Sequence, residues 1–383
     1  MTTIYLDNNA TTRVAPEVFE AMLPYLTEFY GNPSSLHRAG TKAASALKTA
    51  REHAAAFLNC HESEVIFTGG GTESNNAAIR GVLEVDSDKR HVVTSATEHP
   101  SVLELCRHLE KSGYQITYVG VDDAGQPNLA ELEEAIAEDT VLVSLAYANN
   151  ETGVMFPIED IVRIVKPHGI PLHVDAVQAA GKIPLDMSMT EVDLLSVSGH
   201  KLHAPKGVGL LYVRRGTRLR PLILGGGQEK RRRSGTENVP GIVAMGKAFD
   251  LAAQYLEDGI ETTRRLRNRF ESGVLSAIPS AIRNGVPELR IANTSNISFE
   301  SVEGEAILLL LDEVGICSSS GSACSTGALE ASHVLKAMGA PPERTRGSIR
   351  FSLSRYTTIE EIEKTLEELP PIIFRLTRLS ATG

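Results

Sequence analysis

Near the middle of the chain stands Asp193-Leu194-Leu195-Ser196-Val197-Ser198-Gly199-His200-Lys201. The apolar run predicts a buried β-strand, so that Lys201 lies where this strand passes into a loop. A lysine amine that is withdrawn from water has a lowered pKa and becomes a nucleophile toward carbonyl groups. Most lysines that follow a strand are solvated surface residues, so the stretch alone leaves both interpretations of Lys201 open.

On both sides of this stretch, from about residue 15 to residue 215, apolar strand-like runs alternate with helical patterns. The predicted strands are 65–68, 91–95, 115–121, 141–147, 171–176, 193–197 and 208–213. The predicted helices between them include 100–112, 128–137 and 157–168. This alternation predicts an α/β domain with a largely parallel sheet.

The pattern changes in the last third of the chain. Residues 240–278 form a long helical pattern with few breakers, which predicts a helix that bridges two domains. Beyond it we predict, in order, a strand at 294–300, a helix at 303–314, a loop at 316–328, a strand at 348–353 and a helix at 358–376. The expected organisation is a large domain of residues 15–260 and a smaller α+β domain that combines residues 1–14 with residues 261–383.

Composition narrows the class of protein. The chain has 383 residues, of which 42% are hydrophobic and 22% charged, as in ordinary globular proteins. Its net charge of −10 argues against a nucleic-acid partner, and no apolar run reaches the roughly 18 residues of a membrane helix. The N-terminus lacks a signal-peptide pattern, and the four cysteines lack metal-site spacing. We therefore expect a cytoplasmic protein without a membrane partner or an intrinsic metal site.

A second chemical signal is an acid at the end of the predicted strand Leu172-His173-Val174-Asp175, with Gln178 three residues later. A carboxylate at the carboxyl end of such a strand points into the crevice where α/β folds bind ligands. In an enzyme that uses pyridoxal phosphate (PLP), this acid keeps the pyridinium nitrogen protonated while a lysine forms the Schiff base. The other interpretation is that Asp175 caps the following turn.

A third signal is the glycine turn Gly69-Gly70-Gly71, which joins the strand 65–68 to a predicted helix that begins with Thr72 and Glu73. Glycines let the backbone approach an anion, and the free amides at the start of a helix bind phosphate. No Gly-Lys-Ser/Thr follows the glycines, so this turn is not a P-loop.

Six motifs occur in the order seen in cysteine desulfurases: Tyr5-Leu6-Asp7-Asn8-Asn9-Ala10-Thr11-Thr12, Gly31-Asn32-Pro33-Ser34-Ser35-Leu36-His37, Gly71-Thr72-Glu73-Ser74-Asn75, Asn149-Asn150-Glu151-Thr152-Gly153, Ser198-Gly199-His200-Lys201 and Ser319-Ser320-Gly321-Ser322-Ala323-Cys324. From residue 5 to about residue 356, the chain resembles the long-loop, nitrogen-fixation (NifS-like) group of that family, within the class-V aminotransferases. The resemblance implies the α/β fold of fold-type I PLP-dependent transferases, with a mostly parallel seven-stranded sheet in the large domain and a smaller α+β domain.

The resemblance also implies roles for individual residues around PLP. Lys201 would carry the cofactor, Asp175 would pair with its pyridinium nitrogen, and His99 would stack on its ring and move protons. A lone histidine before a helix is usually structural, so the role of His99 depends on the surrounding motifs. The neutral amides of Asn150 and Gln178 suit the phenolic oxygen of the cofactor and the bound substrate.

The remaining implied contacts concern the phosphate and the subunit interface. Ser198, His200 and the Gly71–Thr72 turn would share the phosphate, and Glu73 belongs to the implied cofactor-binding set. Thr236 matches the position that reaches the phosphate of the other subunit, which implies a homodimer with shared active sites. Arg350 stands between apolar neighbours on a predicted strand, and its guanidinium suits the α-carboxylate of a substrate. The other interpretation of Arg350 is an ion pair with an acid of the protein itself.

The loop 315–327 is rich in serine and glycine, so we expect it to be mobile. The resemblance implies that Cys324, on this loop, takes sulfur from L-cysteine through a PLP ketimine and becomes a persulfide, with release of L-alanine. The alternative for Cys324 is an incidental exposed thiol. Cys317 replaces a small apolar residue that is usual in relatives, which indicates a buried substitution rather than a second nucleophile.

The implied destination of the sulfur is an iron–sulfur scaffold, for nitrogenase or for another acceptor, and Cys324 would transiently ligate the cluster. Two other functions share part of this residue set. A selenocysteine lyase or another small-substrate PLP enzyme would need Lys201 and Asp175 without Cys324. A non-catalytic sulfur-relay protein is disfavoured because Lys201, Asp175, His99 and Cys324 occur together.

Overall fold

The computed structural model describes residues 3–86, 88–320 and 331–380, so Cys324 lies outside the described residues. The strands are β1 (Ile4–Tyr5), β2 (Val65–Thr68), β3 (His91–Ser95), β4 (Gln115–Val119), β5 (Thr140–Ala146), β6 (Leu172–Asp175), β7 (Leu194–Ser198), β8 (Gly209–Val213), β9 (Ala281–Arg283), β10 (Thr294–Phe299), β11 (Ile316–Cys317), β12 (Ser319–Ser320) and β13 (Ser348–Ser352).

The helices vary from single turns to one of 39 residues. They are α1 (Pro16–Met22), α2 (Pro24–Thr27), α3 (Arg38–Phe57), α4 (Gly71–Leu83), α5 (Pro100–Lys111), α6 (Leu129–Ala135), α7 (Ile158–Val165), α8 (Gln228–Arg231), α9 (Val239–Ala277), α10 (Gly304–Glu313), α11 (His333–Ala337), α12 (Pro342–Arg346) and α13 (Ile359–Ser380). In the part of the chain that the structure describes, no helix combines the length and the apolarity needed to cross a membrane.

The central sheet has seven strands in the order β2-β8-β7-β6-β5-β3-β4. The pairs from β7 through β6, β5 and β3 to β4 are parallel, whereas β8 runs antiparallel to both of its neighbours. The prediction of a mostly parallel seven-stranded sheet is therefore confirmed. Because the parallel strands run the same way, β5, β6 and β7 all end at one edge of the sheet, where Asp175 and Ser198 lie.

Both faces of this sheet are covered, which accounts for the near-continuous apolar runs in its strands. Along β2, Val65 and Phe67 join one core cluster and Ile66 joins another, so alternate side chains enter opposite layers. All five residues of β7 are buried. The apolar run 193–197 is therefore explained by the burial of this strand on both faces of the sheet.

The long helix α9 connects this core to a second one. Its early residues, such as Phe249, pack in the core of the large sheet, and later ones, such as Phe270, pack in a separate cluster. That cluster covers an antiparallel four-stranded sheet in the order β12-β13-β10-β9. The proposed boundary near residue 260 falls inside α9, and residues Ile4 and Leu6 of the N-terminal segment join the second cluster.

Some elements were not identified from the sequence. Helix α3 buries a face of alanines, which gives weak periodicity because small side chains contribute little hydrophobic contrast. The predicted loop 316–328 begins instead with β11 and β12, which have two residues each. Their partners β1 and β13 are distant in sequence, so local pattern could not reveal them.

Candidate active site

A cavity of about 330 Å³ opens at the carboxyl edge of the parallel strands. Ten of the predicted site residues line it, namely Gly71, Thr72, His99, Asn150, Asp175, Gln178, Ser198, His200, Lys201 and Arg350. They come from loops that are far apart in sequence, and the common direction of the strands brings them together.

Three predicted residues are not part of this lining. Glu73 points to Arg233, with 2.8 Å between its Oε1 and the arginine Nε, and its Oε2 accepts a hydrogen bond from the Gly69 amide. Thr236 lines a different cavity, with Gly69 and Arg233 among its neighbours. Cys324 lies outside the described residues. The functional roles of these three residues remain predictions.

Asp175 ends β6 and is held at both oxygens. Its Oδ2 accepts a hydrogen bond of 2.7 Å from Nδ2 of Asn75, and its Oδ1 accepts one of 2.9 Å from the Val177 amide. The second bond is the turn cap that was the alternative interpretation, and it coexists with a position in the cavity. The carboxylate is thus fixed in one orientation by groups that favour its charge.

Lys201 lies in the turn that follows β7, and its amine reaches the N-terminal segment. Nζ donates hydrogen bonds to the backbone carbonyl oxygens of Asn9 and of Ala10, the latter at 2.7 Å. The segment that contains Asn9 is itself fixed to β13, because the Asn9 amide donates to Oγ of Ser352 at 2.9 Å. The amine therefore has a defined position at the wall of the cavity.

His99 forms the N-cap of α5. Its Nδ1 accepts a hydrogen bond from the Ser101 amide at 3.1 Å, which places the proton of the neutral ring on Nε2. Burial lowers the pKa of His99, Asp175 opposes this effect, and the positive charge of Lys201 adds to it. The imidazole is therefore neutral at neutral pH.

The phosphate-binding set surrounds the start of α4. A Cβ atom added to Gly71 would lie 2.8 Å from Cγ2 of Val177 and 3.4 Å from Cβ of Ser198, so only glycine permits this close approach. Burial and then the charge of Lys201 lower the pKa of His200 to about 4, which makes it a neutral hydrogen-bonding group. Backbone amides, a hydroxyl and a neutral imidazole suit an anion.

Arg350 is 2% exposed and already has protein partners. Its Nη2 lies 2.8 Å from Oδ1 of Asp7, and its Nη1 donates to the Asn150 carbonyl at 3.0 Å. The alternative interpretation, an ion pair with an acid of the protein, is therefore present alongside a place in the cavity lining. Its buried Nε has no hydrogen-bond partner within the described ranges, so the guanidinium keeps an unused donor.

The sequence did not single out several residues of the lining. Asn9, Asn75, Thr97 and Ser101 all belong to it. Asn9 and Asn75 belong to motifs on which the family resemblance rests, and this membership is the sequence feature that could have identified them as site residues. Nothing in the sequence near Thr97 or Ser101 distinguished them from ordinary polar residues of a strand end and a first helical turn.

The described residues fit PLP. The cofactor has an aldehyde that needs an amine, a ring nitrogen that needs a carboxylate, and a phosphate that needs backbone amides. Lys201, Asp175 and the start of α4 offer these three groups in one cavity. Among the residues of the described ranges, no cluster of histidine, cysteine or carboxylate side chains could hold a metal ion.

Comparisons with known proteins lead to the same family that the order of the motifs indicates. The family model for aminotransferase class-V matches residues 4–365. Cysteine desulfurase 2 of Trichormus variabilis is 57% identical over 380 residues, which cover 99% of this chain and 95% of that protein. Cysteine desulfurase NifS of Azotobacter vinelandii is 49% identical over 381 residues, with coverage of 99% and 95%.

Solved structures lead to the same family. A NifS-like protein superposes with a TM-score of 0.93 at 41% identity, covering 98% of this chain and 100% of that one. SspA, solved in complex with cysteine, has a TM-score of 0.83 at 36% identity, with coverage of 93% and 100%. The chain therefore belongs to the aminotransferase class-V family and, within it, to the NifS-like cysteine desulfurases.

Proposed function

We propose that this protein is a PLP-dependent cysteine desulfurase, a sulfurtransferase that removes sulfur from L-cysteine and releases L-alanine. One observation carries the proposal beyond family membership. The amine of Lys201, the carboxylate of Asp175 and the guanidinium of Arg350 line a single cavity, which is the set of groups that an amino-acid substrate and PLP require.

When bound, PLP would supply an aldehyde for amine exchange and a ring that takes up the electrons of the bond broken at the substrate Cα. Lys201 would hold it covalently, Asp175 would bind the ring nitrogen, and the start of α4 with Ser198 and His200 would bind the phosphate. The neutral ring of His99 would lie against the cofactor without adding a charge.

The chain's own residues then determine which bond reacts. The guanidinium of Arg350, which lines the cavity, would bind the substrate carboxylate and set the direction of the Cα–H bond. The amine of Lys201, when it is neutral, would take the Cα proton at Nζ. The carbonyls of Asn9 and Ala10 position this amine, so the proton acceptor has a defined place.

Transfer of sulfur would fall to Cys324. Its thiolate would form an S–S bond with the substrate sulfur while the Cβ–S bond breaks, leaving a persulfide on the enzyme and a three-carbon product that takes up protons to become L-alanine. Cys317 is a poor candidate for this step. Its thiol is half-buried in β11, and burial raises its pKa, which disfavours the reactive thiolate.

The test uses two matched cysteine variants of the PLP-loaded protein. The Cys324→Ala protein should still bind PLP, and the absorbance of this PLP should still change when L-cysteine is added. Its rate of alanine release, however, should be far below that of the wild type. Cys317→Ala, which removes the same side chain seven residues earlier, should release alanine and persulfide sulfur like the wild type. Normal turnover of Cys324→Ala would contradict the persulfide mechanism and favour a lyase that expels sulfur directly.

We also propose a homodimer in which Thr236 serves the site of the partner subunit. The supporting observation is that Thr236 lines a cavity separate from the one that contains Lys201. Several apolar side chains between residues 19 and 36 are exposed in the single chain, including Tyr30 at 79% and Leu36 at 97%. Exposed apolar surface of this kind is typical of a protein interface.

A mixed dimer tests this arrangement. One chain carries Thr236→Val and the other Lys201→Ala, so the site that retains Lys201 receives an intact Thr236 only from its partner. That site should bind PLP like the wild type. Weak binding there would place Thr236 in its own subunit's pocket.

The persulfide on Cys324 also needs an acceptor for its outer sulfur. We propose that this acceptor is an iron–sulfur scaffold or another thiol-bearing protein in the cytoplasm. Transfer of sulfur from the enzyme to a purified scaffold protein would test this proposal.

A further inference from the structure

Lys182 is a lysine beside the active site to which the proposed reaction gives no role. Its Nζ lies 2.6 Å from Oε1 of Gln178 and 3.2 Å from Oδ1 of Asn9. Within the described ranges, none of the ion pairs includes Lys182, although its amine is held among protein groups. A lysine in such a place costs desolvation energy, so its presence there points to a role in the site.

The charges around Lys182 are mostly of its own sign. Burial lowers the pKa of Lys182 well below its usual value, and the charges of Lys201 and Arg350 lower it further. The basic and titratable groups that feel its charge are Lys201, Arg350, His200 and His203. Its two contacts are amide oxygens, to which an amine donates hydrogen bonds whether it is charged or neutral.

The partner Gln178 has a side-chain amide with one accepting end and one donating end. Oε1 faces Lys182, while Nε2 donates to the backbone carbonyl of Asn9 at 3.0 Å. If the amide turned by 180°, its NH₂ group would meet the donors of Lys182, and its oxygen would meet the Asn9 carbonyl. Both contacts would be unfavourable, so Lys182 and Asn9 together select one orientation.

This orientation determines what Gln178 offers to the active-site cavity that it lines. The oxygen is taken by Lys182, and one N–H is taken by Asn9, which leaves the second N–H of Nε2. An N–H donor stabilises a phenolate, whereas a carbonyl oxygen in the same place would repel it. Lys182 thus determines which hydrogen-bonding group Gln178 presents to the cavity.

We propose that Lys182 is a positioning residue that fixes the amide of Gln178 so that its N–H, and not its oxygen, faces the phenolic oxygen of the cofactor. The inference rests on the proposed function, since it concerns bound PLP. Lys182 acts through Gln178 and does not touch the reacting atoms.

The test combines Lys182→Met, which removes the donor at similar length, with Lys182→Arg, which keeps donors. The first readout is the affinity of the apoprotein for PLP, and the second is the pH at which the absorbance of bound PLP changes by half. Lys182→Met should weaken PLP binding about tenfold and move the midpoint upward by about one pH unit, because the phenolic oxygen loses a donor. Lys182→Arg should restore both values at least in part, since Lys182 also lines a second cavity with room beside it.

A double-mutant cycle separates positioning from a general charge effect. In a Gln178→Leu background the amide is gone, so Lys182→Met should change neither readout further. Equal effects of Lys182→Met with and without the amide would overturn the proposal, and so would wild-type values for Lys182→Met alone. Circular dichroism of the apoproteins checks folding, and Lys182→Arg supplies a second variant. A wild-type protein that binds no PLP would overturn the proposed function itself, together with this inference.

Discussion

Replacement of Glu151 by glutamine should remove a pH dependence from the stability of this protein. Glu151 follows Asn150 of the active-site lining and is 2% exposed. Its Oε2 accepts a hydrogen bond of 2.5 Å from Oγ of Ser332. Burial raises the pKa of Glu151 from 4.5 to about 7, although the Ser332 bond and the charge of Arg350 act in the opposite direction.

The size and sign of the effect follow from this rise. A change from 4.5 to about 7 corresponds to about 3 kcal/mol, at about 1.4 kcal/mol for each tenfold change in the ionisation constant. The folded protein holds the proton of Glu151 more tightly than the unfolded chain does. The stability that this proton contributes is therefore complete below pH 4.5 and is lost as the pH rises through about 7. Glutamine does not titrate, so Glu151→Gln should become more stable relative to the wild type by up to about 3 kcal/mol toward alkaline pH.

The assay is urea unfolding of the two apoproteins at several pH values from about 5 to about 8. Other titrating groups are common to both proteins, so only the difference between them reports Glu151. The exposed Glu133 provides the control, because Glu133→Gln should follow the wild type at every pH. Infrared spectra give a direct view, since the band of protonated carboxyl groups should lose the contribution of Glu151 in Glu151→Gln. The contribution of Glu98, whose pKa burial raises well above its usual value, should stay in both proteins. A stability difference that does not vary with pH would refute the reasoning.

Three further changes test the active site. Lys201→Ala should abolish the PLP adduct that borohydride reduction fixes in the wild type, and an adduct on another lysine by mass spectrometry would contradict the assignment. Asn75→Leu removes a hydrogen bond to the charged Asp175 and should weaken PLP binding by roughly ten- to a hundredfold in equilibrium dialysis, whereas unchanged affinity would show that Asp175 needs no such partner. Arg350→Lys should raise KM for L-cysteine by about tenfold with little change in PLP affinity. The reason is that a single ammonium group cannot replace a guanidinium that binds both Asp7 and the substrate carboxylate. An unchanged KM would place the carboxylate site elsewhere.

Much of the large sheet could be predicted because its strands are buried on both faces. Runs such as 65–68 and 91–95 match the observed strands β2 and β3, since a short continuous apolar run between helical patterns is typical of a fully buried strand. The antiparallel direction of β8 could not be predicted, because strand direction depends on the connection between elements and not on the strand's own residues. The two-residue strands β11 and β12 are held by distant partners and leave no local pattern.

Some residues of the candidate site could likewise be predicted from the sequence, and others could not. Asp175 and Lys201 stand at ends of predicted strands, so both the sequence and the rule about strand edges led to them. Thr97 and Ser101 enter the lining because β3 ends beside β5, which only the sheet order reveals. The outward position of Glu73 depends on Arg233, which lies 160 residues later in the sequence. Side-chain direction of this kind is set by tertiary partners.

The clearest case of such long-range control is Asn9. Its carbonyl oxygen accepts hydrogen bonds from Lys201 and Gln178, and its backbone amide donates to Ser352 of β13. Its side chain donates to Thr294 of β10 at 2.8 Å. One residue of the N-terminal segment therefore connects the lysine turn of the seven-stranded sheet to the four-stranded sheet. A displacement of the smaller sheet would move the acceptor of the Lys201 amine, so packing around β10 and β13 contributes to the position of a group that lies outside that sheet.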